Sequence, residues 1–298
     1  MVKNYFRNDV IYISSDKDKI LELNKEQLRS LQIKSLEILI YFKKFCEEHD
    51  LTFYFCGGCC IGALRHKGFI PWDDDIDVFM PRDDYEKLFK IWNKYADTSK
   101  YSCNRTCEDK FMGNIMTTIC DNSTTVIRPW QKGKDGKKGV MIDILPLDGC
   151  APSGIKRKIQ MIWSMIFSLY CSRMVPVNHG RLVSFICKIL LGIVPSEQLK
   201  NKIWKYSEKQ MSKYSINSSK YVTELCSGPG YMKNEYPREV FDDVIYKEFE
   251  GYMMPLPVGY DKYLTMAFGN YMELPPPEKR VPHHDILYMD LENGNKNV

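Results

Sequence analysis

The stretch Cys56–Tyr85 reads CGGCCIGALRHKGFIPWDDDIDVFMPRDDY. It runs from a Gly pair, through a short apolar segment and the basic Arg65-His66-Lys67 cluster, into Asp73, Asp74, Asp75 and Asp77. The apolar Ile76, Val78, Phe79 and Met80 continue it. Alternate residues of an extended chain share a face, so Asp73, Asp75 and Asp77 are expected to project together. Such a group repels itself unless a cation neutralises it, and hard oxygen ligands suit Mg²⁺, Mn²⁺ or Ca²⁺. An isolated pair of acids would read as a solvated turn. Here the acids abut apolar residues and follow a Gly-rich turn and a basic cluster, which favours a bound ligand.

The flanking segments give this stretch a frame. Leu28, Leu31, Ile38, Leu39, Phe42 and Phe45 recur at helical spacing between Asn24 and Glu48, so an amphipathic helix is expected, with Asn24 as its N-cap and Asp50 closing it. Leu51–Cys56 reads as a strand. Gly57 and Gly58 give a turn that permits close backbone approach, and Cys59–Leu64 starts a helix whose free N–H groups could face a phosphate. The acidic strand follows and ends at Pro81, and Asp83 or Asp84 is expected to cap the next helix.

Downstream, Phe111–Cys120 and Ser123–Ile127 are expected to pair as a hairpin around Asp121-Asn122. Gly139–Asp148 (GVMIDILPLD) then sets one acid, Asp143, among Met141, Ile142, Ile144 and Leu145. A lone carboxylate in an apolar strand is costly unless paired or bound to a cation. Asp143 is therefore the expected third member of the acid cluster, a salt-bridged or capping Asp being the plain alternative. Two apolar runs follow, IQMIWSMIFSLYCS and LVSFICKILLGIVP, with Lys156-Arg157-Lys158 ahead of the first. Neither reaches the roughly 20 residues of a spanning helix. A buried helical hairpin and an interfacial hairpin dipping into a membrane leaflet fit equally well. Residues 196–215 read as an amphipathic helix, residues 240–258 as strands, and Asp261–Phe268 as a short helix. Residues 1 to about 20 read as an irregular or strand-containing lead-in.

Composition narrows the function classes. The 298 residues are 44% hydrophobic, enough for a real core, and the net charge of +4 is too small to argue for nucleic acid. It is compatible with an anionic membrane surface or a phosphorylated substrate. The opening MVKNYFRNDVIYISSDKDK lacks a continuous apolar core and a small-residue cleavage site. With an odd count of 11 cysteines, reduced thiols and a cytoplasmic location are expected. Cys56, Cys59, Cys60, Cys103 and Cys107 match no zinc spacing, and buried thiols are the simpler reading.

GGCCIGALRHKGFIPWDDDIDVFMPRDDYEKL closely resembles the signature of the LicD family of phosphorylcholine transferases, which includes fukutin-like enzymes. The closing GNYMELPPPEKRVPHHD is similar to the end of LicD-type proteins. The resemblance brackets the chain from about Gln27 to Asp290 and is weakest over about 155–215. It implies an α/β (α+β) fold, a nucleotidyltransferase-like mixed sheet flanked by helices. Residues 1–154 would form the catalytic core, 155–215 a helical, apolar insertion, and 216–298 a C-terminal part completing the catalytic domain. It also implies that Asp75, Asp77 and Asp143 are catalytic and, with Asp73, hold Mg²⁺ or Mn²⁺. Cys59-Cys60 departs from the pattern, where Thr and Leu are more usual.

The implied reaction moves phosphocholine, or a related substituted phosphate, from CDP-choline or another CDP-activated donor. The acceptor would be a hydroxyl of a glycan or teichoic acid precursor, lipid-linked at the cytoplasmic face of the membrane. Phosphoryl transfer needs cations to neutralise a diphosphate and orient the attacking hydroxyl. Gly57, Gly58, Arg65, His66 and Lys67 are the candidates for phosphate or nucleotide binding, although a charged turn would carry the same basic residues. Trp72 and Trp130 are candidates to face a choline cation, and His283 and His284 to donate to phosphate or carry a proton. Packing and a structural His pair are the plain alternatives. Two other functions fit the same residues. One is a nucleotidyltransferase that makes the CDP donor and releases pyrophosphate. The other is a non-catalytic, membrane-associated scaffold with a structural divalent ion.

Overall fold

The computed structural model describes residues 20–107, 109–131, 134–176 and 180–294. The lead-in expected over 1–20 lies, but for Ile20, outside the described residues. Helix α1 (Lys25–Glu48) begins at Asn24, whose side chain accepts from Gln27 N while the Gln27 side chain accepts from Asn24 N. This reciprocal capping satisfies two otherwise orphaned donors. Its buried stripe of Leu31, Ile38, Leu39, Phe42 and Phe45 lies in the main core.

The chain is built on a seven-stranded mixed sheet. Its main path runs β1 (Tyr54–Phe55), β2 (Asp77–Pro81), β6 (Met141–Gly149), β4 (Thr117–Asp121) and β3 (Tyr101–Asn104). β2 and β6 are parallel, and the other pairs on this path are antiparallel. Two short strands, β7 (Tyr221–Thr223) and β8 (Tyr236–Pro237), extend it beyond the end of β6. Val78, Phe79, Met80, Ile142, Ile144 and Leu147 fill the central pair of strands at near-zero exposure. Such unbroken apolar runs are what a parallel pair buried on both faces requires.

Several local expectations are corrected. Only Tyr54–Phe55 of 51–56 is a strand. Gly57 and Gly58 are not a separate turn but the first residues of α2 (Gly57–Arg65). The chain is extended through Asp73–Ile76, but pairing starts at Asp77. α3 (Arg82–Tyr95) is capped by neither Asp83 nor Asp84, because it follows Pro81 directly and both acids fall in its first turn. Asp84 instead accepts from Thr52 N, tying the entry of β1 to α3. The hairpin expected over 111–127 does not form. β4 pairs with β3 and β6, while β5 (Thr125–Ile127) turns away to pair with β11 (Tyr288–Asp290). The Asp121 carboxylate, accepting from Ser123 N and Oγ, makes the turn that separates them.

Three helices follow β6: α4 (Gly154–Ser172), α5 (Arg181–Gly192) and α6 (Glu197–Met211). α4 and α6 pack together around a second apolar cluster that includes Phe167, Tyr170, Trp204 and Met211. A one-turn helix, α7 (Gly228–Tyr231), follows β7, and the hairpin of β9 (Val244–Phe249) and β10 (Tyr252–Pro257) leads to α8 (Tyr260–Phe268). The segment after α8 makes a single 3₁₀ turn at Pro277–Lys279 and returns to Asp74 and to β5.

Buried charge joins the helices to the sheet. Arg82 holds Asp148 through two bonds of 2.8 and 2.7 Å, and Arg105 holds Glu86 through bonds of 2.9 and 2.8 Å. Glu208 of α6 accepts from both arginines, and the Tyr85 ring lies beneath both guanidiniums. Two-pronged Arg–carboxylate pairs combine strength with a fixed direction, so this knot orients α6 against β6 and α3.

Candidate active site

The acids gather where β2 and β6 begin their pairing. Asp77 and Asp143 are register partners on parallel strands, so their side chains leave the sheet on the same face. Asp73, Asp74 and Asp75 approach along the extended segment just before β2. Asp73 turns onto the start of α2, where a Cβ on Gly58 would collide with its carboxylate. Gly58 is thus needed for close approach. Gly57 has φ +46° and donates its N–H to the Tyr263 hydroxyl at 3.0 Å.

Asp74 points the other way. Its carboxylate is fully buried and accepts from the backbone N–H of His283 and of His284, both at 3.1 Å, and from His284 Nδ1 at 3.2 Å. The same Nδ1 lies 3.7 Å from Asp75 Oδ2. Asp74, Asp75 and His284 therefore bring three ligating atoms within 4.8 Å of one another. Asp74 already has donors for both oxygens, which makes it the anchor of the C-terminal segment. Asp75 remains free to serve the cluster.

The electrostatics show how unbalanced the site is. Burial, then Asp75 and Asp74, push the Asp73 carboxyl well above the usual range, and burial, Asp75 and Asp143 do the same to Asp77. Burial raises Asp143 to about 6 although Arg128 and His284 pull it down. Burial alone would raise Asp74 too, but His284 and the two backbone donors hold it below the ordinary value. Burial opposes the charge on His284, yet Asp75 and Asp74 outweigh it and lift the imidazole to about 10. Opposed carboxylates favour protonation or a cation.

Arg128 is a member that sequence reasoning missed. It follows β5, is buried, and lies within electrostatic range of Asp74, Asp143 and His284. Its Nε and one Nη are buried without a hydrogen-bond partner, as are Asp143 Oδ1 and the hydroxyls of Thr117 and Thr118 nearby on β4. Unsatisfied buried donors and acceptors side by side are expensive in a folded protein, and a phosphate and a cation would satisfy them. The sequence signal was a single Arg after an apolar run, in TTVIRPW, indistinguishable from a surface charge until the strand was placed.

The other candidates divide. Arg65 is within electrostatic range of Asp73, but its guanidinium donates to the Tyr271 and Glu273 carbonyls at 3.0 and 3.2 Å and to His66 Nε2 at 3.0 Å. Burial lowers the pKa of Arg65, with Arg280 adding to it, and burial followed by Arg65 lowers that of His66. Lys67 has φ +54° and pairs with Glu248 at 3.5 Å. These contacts tie the end of α2 to the segment after α8 and to β9 rather than to the acids. Trp72 has Arg280 over its ring at 5.7 Å, and Trp130 has Lys134 at 5.4 Å. Each ring thus already presents one face to a cation of the chain itself. Trp130 and Lys134 line a small pocket with Asn104, Asn114 and Thr118. Burial lowers Lys134 to about 8 there. The 11 cysteines form no disulfide, and burial holds the thiols of Cys56, Cys59 and Cys60 well above their ordinary range, so none is a ready nucleophile.

Comparison with known proteins matches the sequence to a family. Residues 50–148 match the LicD/FKTN/FKRP nucleotidyltransferase domain. The chain is 34% identical over 275 residues to the lipopolysaccharide cholinephosphotransferase LicD of Haemophilus influenzae, an alignment covering 88% of this chain and 97% of that protein. Uncharacterized proteins of Rickettsia prowazekii and Rickettsia typhi share 27% and 23% identity over 115 residues, 34% of this chain in each case. With nearly the whole length of the Haemophilus enzyme aligned and the acid-bearing strands inside the matched domain, the chain belongs to the LicD family of phosphotransferases.

Proposed function

We propose that this enzyme transfers phosphocholine, or a closely related substituted phosphate, from a CDP-activated donor to a hydroxyl of a cell-surface glycan precursor such as a lipopolysaccharide or teichoic acid. The observation that carries the reading is the in-register pair Asp77 and Asp143, with Asp143 Oδ1 and the Nε and one Nη of Arg128, which lies within electrostatic range, all buried without a hydrogen-bond partner. Buried acceptors and buried donors in one electrostatic neighbourhood suit a ligand carrying both charges, a metal-bound diphosphate.

The donor set fits a hard divalent cation, Mg²⁺ or Mn²⁺, because it consists of carboxylate oxygens that raise one another's pKa values. Asp75, Asp77 and Asp143 would hold it, with Asp73 alongside, and when bound it would neutralise the diphosphate and polarise the transferring phosphoryl group. Arg128 donates Nε–H and Nη–H to non-bridging phosphate oxygens. His284 holds Asp74 and, through it, the segment that closes over the acids, and it steadies Asp75. In the transfer the acceptor oxygen bonds to phosphorus as the bond from phosphorus to the CMP oxygen breaks. CMP leaves with that oxygen, and the hydroxyl proton passes to a carboxylate. Asp75, whose side chain keeps 18% exposure, is assigned that role.

The test is CMP release from CDP-choline with Mg²⁺, with and without a glycan acceptor. CMP that requires both acceptor and metal and is lost in Asp75→Asn supports the reading. Pyrophosphate released from CTP and phosphocholine would replace it with donor synthesis. No CMP from CDP-choline, but CMP from CDP-ribitol or CDP-glycerol, would change the group carried.

A further inference from the structure

The N-terminal half of α4 is built inside out. Its inward face there carries Arg157, Gln160 and Ser164, all buried, before Phe167, Leu169, Tyr170 and Cys171 take over. Gln160 donates to the carbonyls of Gly149 and Met211 at 2.9 and 2.8 Å, Ser164 to that of Leu225 at 2.6 Å, and Arg157 to Thr223 Oγ1 at 2.7 Å and to the Met232 carbonyl. Its outward face carries Ile155, Ile159, Ile162 and Met165, a single stripe at helical spacing, with Ile155 at 77% exposure. α5 has no buried residue. Leu182, Val183, Phe185, Ile186, Ile189 and Ile193 stand exposed along it, Leu182 at 71%. Buried polar side chains under an exposed apolar face reverse the usual order, and contiguous exposed apolar surface marks a docking site.

The charge around this face selects its partner. From Gly149 to Ser196 the sequence contains no Asp or Glu, while Lys156, Lys158, Arg181 and Lys188 are exposed within it. Among the described residues no single helix is long and apolar enough to cross a membrane. α5 is short, and α5 and the helical stretch beginning at Glu197 meet at 119°. Apolar helices rimmed by basic residues and too short to span lie in the interface plane of an anionic bilayer.

The face also has a fixed relation to the pocket beside Trp130. Cys171, in the last turn of α4, donates to the Asn114 carbonyl. Lys134 Nζ lies 3.3 Å from Met174 Sδ, and Arg173 stacks over the Phe111 ring at 3.8 Å. Asn114 and Lys134 line the cavity beside Trp130, so the hairpin starts at its rim.

We propose that the exposed face of α4 and α5 docks on an anionic lipid surface and holds the cavity rim at the bilayer, where a lipid-anchored acceptor presents its hydroxyl. The docking surface stands independently, and only the acceptor clause rests on the proposed transfer reaction.

The test is flotation of the full chain with phosphatidylcholine vesicles, with and without phosphatidylglycerol. Three proteins are compared: the unaltered chain, a Leu182→Ser/Phe185→Ser/Ile189→Ser variant, and a Lys156→Glu/Lys158→Glu/Arg181→Glu/Lys188→Glu variant. The unaltered chain is expected to float with the anionic vesicles and to lose binding as salt rises. The serine variant is expected to bind roughly tenfold or more weakly, since one large apolar side chain withdrawn from lipid is already worth about that factor. The charge variant is expected to lose the preference for phosphatidylglycerol. Failure of the unaltered chain to float, or a stable dimer in solution that the serine variant dissociates, overturns the proposal in favour of a second copy as occupant. Donor-dependent CMP release to a soluble acceptor, measured on the same proteins, is expected to be unchanged. Its loss in the unaltered chain would count against the transfer reaction and leave the lipid result standing.

Discussion

β2 and β6 carry buried charge at both ends of their pairing, handled in opposite ways. At one end Asp77 and Asp143 face the same side with Asp73 and Asp75 close by, and the opposite charges within reach are those of His284 and Arg128. At the other end Arg82 and Asp148 are joined twice, and Glu86, Arg105 and Glu208 complete a set in which each of three carboxylates accepts from at least one of two arginines. This paired knot contributes to architecture, because every partner is inside the protein. The unbalanced group costs stability, and that cost falls when a ligand brings the missing charges.

Three experiments would break or sharpen this contrast. The largest effect is expected from Asp77→Asn, which removes a charge where charge is in excess. Transfer should fall by about a thousandfold, since cation stabilisation of a transferring phosphoryl group is worth several kcal/mol, while the melting temperature holds or rises. A melting temperature that collapses together with activity would show that Asp77 is structural. Next comes Asp148→Ala, which leaves Arg82 buried without its principal partner. Stability should fall by about 3–5 kcal/mol, read from urea unfolding, with the folded fraction still active. An unchanged unfolding midpoint would show that the knot contributes nothing net.

The smallest effect concerns pH and metal. The carboxyls of Asp73, Asp77 and Asp143 are raised in the folded chain, so it holds protons that the unfolded chain has released. The contribution of these three carboxyls without metal is therefore fully present near pH 4 and falls as pH rises, for Asp143 between about 4 and about 6. Mg²⁺ should restore it above that window, by about 2.7 kcal/mol at a hundredfold excess over its dissociation constant, and do little at pH 4.5. Thermal unfolding at the two pH values, with Mg²⁺ and with EDTA, checks both signs. Equal stabilisation at both would point to binding elsewhere.

The sequence disclosed the acids more readily than their setting. A lone Asp143 in an apolar strand and the close run from Asp73 to Asp77 are costly patterns, and the structure brings those residues together, although what they bind is still to be measured. The long periodic helix α1 was legible down to its cap. The short strands were not, because two or three residues such as Tyr54–Phe55 carry no periodicity of their own. Adjacency in sequence misled at 111–127, where β4 and β5 look like a hairpin but β4 pairs with β3 and β6 and β5 takes a distant partner, β11. Arg128 was illegible for the same reason: its place depends on β5 pairing with β11, across more than half the chain. For Arg65 and Lys67 a basic cluster ahead of acids suggests phosphate binding; what the structure adds is their contacts within the chain, to backbone carbonyls and to Glu248. The reversed polarity of α4 could not be read at all, because periodicity tells that a helix has two faces and not which one is turned inward.

The Arg82–Asp148 clamp has one more consequence. Asp77 and Asp143 face each other in the β2–β6 register, and Asp148 lies five residues further along β6, an odd number that sends it to the opposite face of the sheet, where Arg82, the first residue of α3, holds it. A slip by one residue would turn Asp143 away from Asp77, and the mutual repulsion of the acids would reward that error. The same slip would pull Asp148 out of reach of Arg82. The clamp therefore acts as a proofreader: it checks the alignment of two strands on the far side of the sheet, where attraction can correct a mistake that repulsion at the site would otherwise encourage.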